Sequence, residues 1–450
     1  MSRSARAAVA LMVLLPQLWI FQGGGWNQNS RFALARALVV RGSVQIDPDA
    51  DTTGDVAVRG GHVYCDKAPG VSFLAAAALA LVGPLAAAAG IDSDQPRWWR
   101  LVPYLVTLLS ISLPVALTAA ALFGELAVRF APRPALFAIA AVFLGSPLLA
   151  YAGLLYGHAL AACLLALGFI ALSRRRVTLA GFASGCAILV EYTAALGALA
   201  LLFYAISDRE LRGKVWTGAL AALGPLLLLA LYDRAAFGSP FAIGYSNLPG
   251  GRYTGMSSGF FGLRGPTPQS LWQLSFGEHR GLFRYSPVLL LAFAGLRRGR
   301  DIALAIGLFL AFFLLNASYA YWDGHASFGP RHAVPGLVLL CIPIAAAAQR
   351  WPRASLLLLV PSLLACGLAW ATRPEAAPSD WNPLQQSWLH FWRKDAIGAS
   401  IFWFNAKEPL QYRSGFVLPM FVGLDGRLAL LPLLPLYAGL LFWFRRAVRR

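Results

Sequence analysis

A chain of 450 residues with 58% hydrophobic residues, only 13% Asp, Glu, Lys or Arg and a mean hydropathy of +0.61 is not a water-soluble protein, because soluble domains carry about 25% charged residues. A net charge of +18 would suggest nucleic acid in a soluble chain. Here the arginines sit in short clusters between apolar runs, which makes them a topology signal and leaves no nucleic-acid partner. Four of the five cysteines (Cys163, Cys186, Cys341, Cys366) lie in apolar runs and Cys65 is alone in a polar segment, so neither a disulfide framework nor a CxxC metal site is expected.

The first apolar run, about 7 to 21, follows Arg3 and Arg6 and reads as a retained first span rather than a cleaved signal. Further spans are predicted at about 101–128, 134–150, 159–173, 177–190, 193–207, 215–235, 286–296, 302–320, 334–348, 354–371 and 428–444. The fold class is therefore all-α, a polytopic membrane protein of about twelve transmembrane helices, with interfacial helices in the first outer loop. The run 71–89 is excluded from the spans. If it crossed, Arg174 to Arg176 and the terminal arginines would lie outside, against the positive-inside bias. With it in the interface, the inner side carries +15 and the outer side +3, which together make the +18 of the chain. The 31 residues 177–207 would make a helix of about 46 Å at 1.5 Å per residue, too long for one bilayer. Glu191 marks the expected break. The placement is the cytoplasmic (inner) membrane, multi-pass, with the polar site facing the periplasm or exterior.

Polar chemistry concentrates in the outer loops: 23–100 including the interfacial run, then 236–285, 321–333 and 372–427. In the first, Asn27 to Arg31 lead into an apolar stretch with Arg36 and Arg41 that suits a surface helix capped by Asn29 or Ser30, its arginines snorkelling. Asp47, Asp49, Asp51 and Asp55 follow, then Tyr64-Cys65-Asp66-Lys67-Ala68-Pro69-Gly70. An Asp-Lys pair at the start of an apolar helix places both charges at headgroup depth. Lys67 is thus a candidate phosphate ligand and Asp66 a candidate for a metal or a sugar hydroxyl, against a plain interfacial salt bridge. His158 at the outer end of a span reads as a packing residue or a site residue. Glu191 is a functional candidate because an ionisable side chain in an apolar run is costly. In Tyr319 to His332, Arg331 suits bidentate phosphate binding, against an aromatic belt with a headgroup arginine. Arg280 and Arg284 read as a lipid-headgroup edge. No P-loop, HExxH or nucleophile elbow is present.

With these residues in order, the chain resembles the GT-C superfamily of membrane glycosyltransferases, in the branch that includes protein O-mannosyltransferases, the lipid A aminoarabinose transferase and uncharacterised bacterial members. The resemblance rests on one span, a long loop with an Arg-x-Ala-x-x-Arg surface helix (Arg31 to Arg36), Asp66-Lys67-Ala68-Pro69 and a second outer loop, within residues 1–235. Phe237-Gly238-Ser239-Pro240, Arg284-Tyr285-Ser286-Pro287 and Ser327-Phe328-Gly329-Pro330-Arg331 add to it. It implies a catalytic module at 1–235 and a C-terminal transmembrane region at 236–450. It also implies transfer of a sugar from a polyprenyl-phosphate donor to a hydroxyl of a glycolipid, glycan or protein.

By that resemblance Lys67 holds the lipid phosphate, with Arg331, read from its own loop, as the second candidate ligand. Asp66 sits where relatives bind a metal or acceptor, and His158 takes a second-loop position usually held by Asp. Asp66 and His158 are the weak ligand set for a divalent metal, the one cofactor admitted. Relatives open the first loop with an Asp-Glu pair, whereas this chain has Asn27-Gln28-Asn29, which cannot act as a base. The expected base is therefore Asp55, with Asp47 next. Two other readings stay open: a lipid-linked-sugar flippase, which needs polar groups through the midplane where only Glu191 qualifies, and a non-catalytic partner that binds the lipid carrier.

Overall fold

The computed structural model describes residues 2–250, 253–257, 262–375, 382–392, 415–418, 422–424 and 426–449; much of the predicted outer segment 372–427 lies outside the described residues. The chain is a polytopic, predominantly helical membrane protein. Helices begin where the sequence supplies start signals. Ser2 accepts the Ala5 N–H at 3.2 Å and caps Arg3–Trp19. Prolines open Pro96–Arg129, Pro132–Leu144 and Pro352–Thr372, where a missing N–H leaves no hydrogen bond unmade. Glu191 is extended (φ −153, ψ 114) between Val177–Val190 and Tyr192–Ile206, so the break falls where it was expected.

Six helices among the described residues are long and apolar enough to cross a bilayer: Gly70–Ala88, Pro96–Arg129, Arg212–Phe237, Arg300–Ser318, Pro352–Thr372 and Gly426–Arg449. Five shorter apolar helices, Pro132–Leu144, Gly157–Ser173, Val177–Val190, Tyr192–Ile206 and Val338–Arg350, occupy other predicted spans. The predicted span at 286–296 is broken into the short pieces Leu282–Tyr285, Pro287–Leu290 and Leu291–Ala294. Where helices cross closely, small residues allow it. A Cβ on Gly181 would lie 1.9 Å from the Gly218 carbonyl oxygen, and one on Gly185 would lie 2.7 Å from that of Ala222, the close backbone approach typical of membrane helix pairs.

Two polar layers bound the helices. One gathers the arginine clusters: Arg129 pairs with Glu125 at 3.2 Å and also with Asp301, Arg174 lies 3.4 Å from Glu125, and Arg300 lies 2.7 Å from Asp208. The opposite layer holds the loops. The Gly70–Ala88 helix has both ends in that loop layer. A Cβ on Gly70 would meet the backbone of Leu189 and Val190 beside Glu191. Ala88 connects through a turn tightened by Ile91 N–H to Ala86 and Gln95 N–H to Asp92 to Trp98 and Trp99. These two rings pack on Phe32, and Trp99 lies 4.8 Å beneath the Arg36 guanidinium. The Gly70–Ala88 helix runs beside Trp26–Arg36.

The surface helix differs in detail from its prediction. It spans Trp26–Arg36 and continues as a π-helical turn to Arg41, so Asn29 and Ser30 lie inside it and Gly25 is the cap residue. Its arginines do not snorkel. Arg36 and Arg41 converge on Asp49, and Arg31 is 2% exposed, donating to Asn27 Oδ1 at 3.0 Å and to the Ala68 carbonyl at 3.1 Å. A buried guanidinium needs such partners.

Candidate functional site

A short β-hairpin builds the first part of the site. Val56–Arg59 pairs antiparallel with His62–Cys65 in the register Val56 opposite Cys65. Gly60 and Gly61 make the turn with φ of +59° and +82°, a conformation glycine adopts without strain. That register brings Asp55, just before the first strand, beside Asp66 and Lys67, just after the second. The Lys67 ammonium lies 3.1 Å from Asp55 Oδ2 and 2.9 Å from Asp66 Oδ2, with the Tyr245 ring 5.4 Å away. Tyr253 donates to Asp55 Oδ1 at 3.3 Å, while Asp66 Oδ1 is buried with no hydrogen-bond partner among the described residues.

Burial opposes charge on all three groups, and their mutual attraction decides the outcome. For Lys67, Asp55 and Asp66 outweigh burial and hold the ammonium well above its ordinary pKa. For Asp55, Lys67 and Arg331 outweigh burial and hold the carboxyl below its ordinary range. For Asp66 burial prevails, and its pKa is raised.

These residues line a cavity of about 330 Å³, the size of a small-molecule site. Residues distant in sequence complete it: Tyr156, Tyr245, Tyr253, Tyr319 and Tyr321 as walls, then His325, Arg331, His332 and Glu375. Both parts of the chain, 1–235 and 236–450, therefore contribute to one site. Arg331 has no ion-pair partner among the described residues; its Nε lies 3.4 Å from His332 Nε2, and its guanidinium is 5.9 Å from the Tyr156 ring centre. Burial, with Arg331 next in importance, holds His332 neutral, well below the ordinary histidine range.

Glu375 is 4% exposed and accepts a 2.5 Å hydrogen bond from the Tyr156 hydroxyl. Burial pushes its carboxyl up to about 7. It sits against the start of the surface helix, where a Cβ on Gly25 would lie 2.4 Å from Glu375 Oε2. The reading of the sequence missed Glu375; its only local signal is an acidic residue three positions beyond an apolar span.

Of the predicted site residues, Asp55, Asp66, Lys67 and Arg331 meet in the cavity. His158 and Glu191 do not line it. His158 Nδ1 lies 3.4 Å from Glu191 Oε2, which is 3.9 Å from Arg31, and the His158 ring packs on His332 from behind at 5.2 Å. These two form a buried network that fixes the loop-layer ends of three helices. Asp47 is also outside the cavity: its carboxylate accepts from the Val63 N–H at 2.8 Å and lies 3.2 Å from His62. It braces the hairpin and has no access to a bound molecule.

Asp66 lines the cavity and His158 does not, and the described residues hold no group of three or more His, Cys, Asp or Glu that fits a metal ion. Arg280, predicted at a headgroup edge, is instead fully buried and donates to the carbonyls of Asp323, His325 and His279 at 2.7, 2.8 and 3.0 Å. It pins the loop that carries Arg331. Asn27 and Gln28, which stand where the resemblance places an acidic pair, serve as braces. Asn27 accepts from Arg31, and Gln28 accepts from the Leu155 N–H at 3.1 Å and donates to the Gln22 carbonyl at 3.2 Å.

No protein-family model matches this sequence, and no curated protein matches it. Two crystal structures of ArnT from Cupriavidus metallidurans are similar in fold. The apo state aligns with a TM-score of 0.50, and the state bound to undecaprenyl phosphate with 0.51; each is 18% identical and covers 86% of this chain and 67% of ArnT. ArnT is an aminoarabinose transferase of the GT-C superfamily. The hairpin-borne Asp-Lys element, the surface helix and the loop layer above the helices thus sit on a membrane fold similar to that of ArnT.

Proposed function

We propose that this chain is a membrane glycosyltransferase that takes a sugar from a polyprenyl-phosphate donor and passes it to an acceptor hydroxyl at the outer face of the cytoplasmic membrane. The observation that carries the reading is the cavity in the loop layer, where a half-buried Arg331 without an ion-pair partner among the described residues faces the same space as Lys67. A guanidinium that lines a cavity with no carboxylate at ion-pair distance suits the bidentate recognition of a phosphate. The likeness of fold to ArnT, one structure of which holds undecaprenyl phosphate, supports a lipid carrier of that class.

In this reaction the acceptor oxygen displaces the lipid phosphate at the anomeric carbon. Lys67 and Arg331 stabilise charge that develops on the departing phosphate, and losing one such stabiliser costs about 10²–10³ in rate. Asp55 and Asp66 fix the Lys67 ammonium from two sides and keep it protonated. Tyrosines 156, 245, 253, 319 and 321 supply flat walls and hydroxyl donors suited to a sugar ring.

The test is transfer in proteoliposomes made with purified protein, undecaprenyl-phosphate-linked radiolabelled sugars and a membrane extract as acceptor. The reading expects label in the acceptor pool with release of undecaprenyl phosphate, and loss of both with Arg331→Met. Movement of the lipid-linked sugar across the bilayer without transfer would make the protein a flippase. Donor binding with neither would make it a non-catalytic carrier partner.

A further inference from the structure

Three carboxylates reach the cavity, and they are not equivalent. Asp55 is engaged on both oxygens, by Lys67 and by Tyr253. Asp66 binds Lys67 with one oxygen, and its other is buried away from solvent. Glu375 has no ion-pair partner among the described residues, and its hydrogen bonds come from neutral groups, the Tyr156 hydroxyl and the Gln28 side chain. It lies on the wall formed by Gly25, Trp26 and Asn27, where the surface helix itself offers only amides.

Resting on the transferase reading above, we infer that Glu375 is the general base of the reaction, accepting the acceptor hydroxyl proton as that oxygen bonds to the anomeric carbon. The bond from that carbon to the phosphate oxygen breaks with its electron pair, the charge passes to the lipid phosphate held by Lys67 and Arg331, and the proton stays on the Glu375 carboxyl. Asp55, opposed by Lys67, is the weaker proton acceptor and serves to position the ammonium.

The charged and titratable groups facing Glu375 are Tyr156, Arg331 and Asp55, and burial is the largest influence on it. A base efficient at neutral pH titrates near that pH, and the Glu375 carboxyl at about 7 meets this condition, whereas Asp55 is displaced the other way.

The experiment is the pH dependence of transfer by the purified full-length protein in liposomes, with undecaprenyl phosphate binding measured alongside. Wild type should gain kcat as pH rises through about 7. Glu375→Gln should lose about 10²-fold or more in kcat and lose that limb, while binding undecaprenyl phosphate as wild type does. Tyr156→Phe removes a hydrogen bond that favours the ionised carboxyl and keeps the base, so its limb should move to higher pH. Wild-type kcat and limb in Glu375→Gln, or an unmoved limb in Tyr156→Phe, would overturn the assignment while leaving the transferase reading intact. If the wild-type protein binds the lipid and transfers nothing, the transferase reading fails first and the assignment with it.

Discussion

Lys67→Met removes the charge between two buried carboxylates and keeps most of the side-chain volume. The ammonium contacts both at 3.1 and 2.9 Å, and the three side chains are only 10%, 11% and 1% exposed. Removing one partner of such a buried pair costs about 3–5 kcal/mol, because the remaining charge is left uncompensated. Here two like charges are left facing each other.

The cost should depend on pH in a definite direction. Without Lys67, burial and mutual repulsion raise the carboxyls of both aspartates in the folded state. Groups raised in this way favour folding below their ordinary pKa, near 4, and lose that contribution as pH rises through the raised folded value. The stability deficit of Lys67→Met should therefore be small near pH 5 and reach its full size by pH 8. Thermal unfolding in detergent at the two pH values measures it, and Asp55→Asn/Asp66→Asn added to Lys67→Met should recover most of the loss at pH 8. A deficit equal at both pH values, or no recovery in the triple variant, would show that Lys67 is not what holds the two carboxylates together.

Arg331→Met should behave differently, since no carboxylate at ion-pair distance loses its partner: folding stability is retained to within about 1 kcal/mol, while the Kd for undecaprenyl phosphate rises about 10- to 100-fold, the worth of a hydrogen bond to a charged group. Titration of the lipid into the detergent-solubilised variant checks both halves. For Glu375, the carboxyl at about 7 against an ordinary 4.5 stabilises the fold at acid pH and loses that contribution as pH rises through about 7. Glu375→Gln should therefore be close to wild type in unfolding free energy near pH 5 and exceed it at pH 8 by up to about 3 kcal/mol, read from denaturant unfolding at the two pH values.

Much of the architecture could be read from local rules. Glu191 interrupts an apolar run too long for one bilayer, and the backbone turns extended there. The 71–89 run, placed in the interface by the charge balance of later loops, forms the helix Gly70–Ala88 beside Trp26–Arg36. The Asp-Lys element was visible as charge at the start of an apolar segment.

What escaped was long-range. Tyr156 and Glu375 are 219 residues apart, and no local pattern announces their contact. Asp47 and Asp55 are alike in composition; the hairpin register separates them by setting Asp55 beside Lys67 and Asp47 at the Val63 amide. That hairpin was not read from the sequence, although its signal is there: Gly60-Gly61 divides Val-Ala-Val-Arg from His-Val-Tyr-Cys, a two-residue turn between alternating strands. Glu191 was singled out because membrane ionisable groups are costly, but here it lies beside Arg31, with the His158 ring next to it, behind the cavity. Arg280 was misplaced for a related reason: its partners are carbonyls of a loop more than forty residues on, which sequence patterning does not reveal.

A cryo-EM structure of the protein in nanodiscs with undecaprenyl phosphate addresses the central claim most directly. The account predicts phosphate density in the cavity within hydrogen-bonding distance of both Lys67 Nζ and the Arg331 guanidinium, with the polyprenyl chain leaving toward the helices. Phosphate bound elsewhere, with the Lys67–Asp55–Asp66 cluster and Arg331 undisturbed and the cavity filled only by solvent, would contradict it.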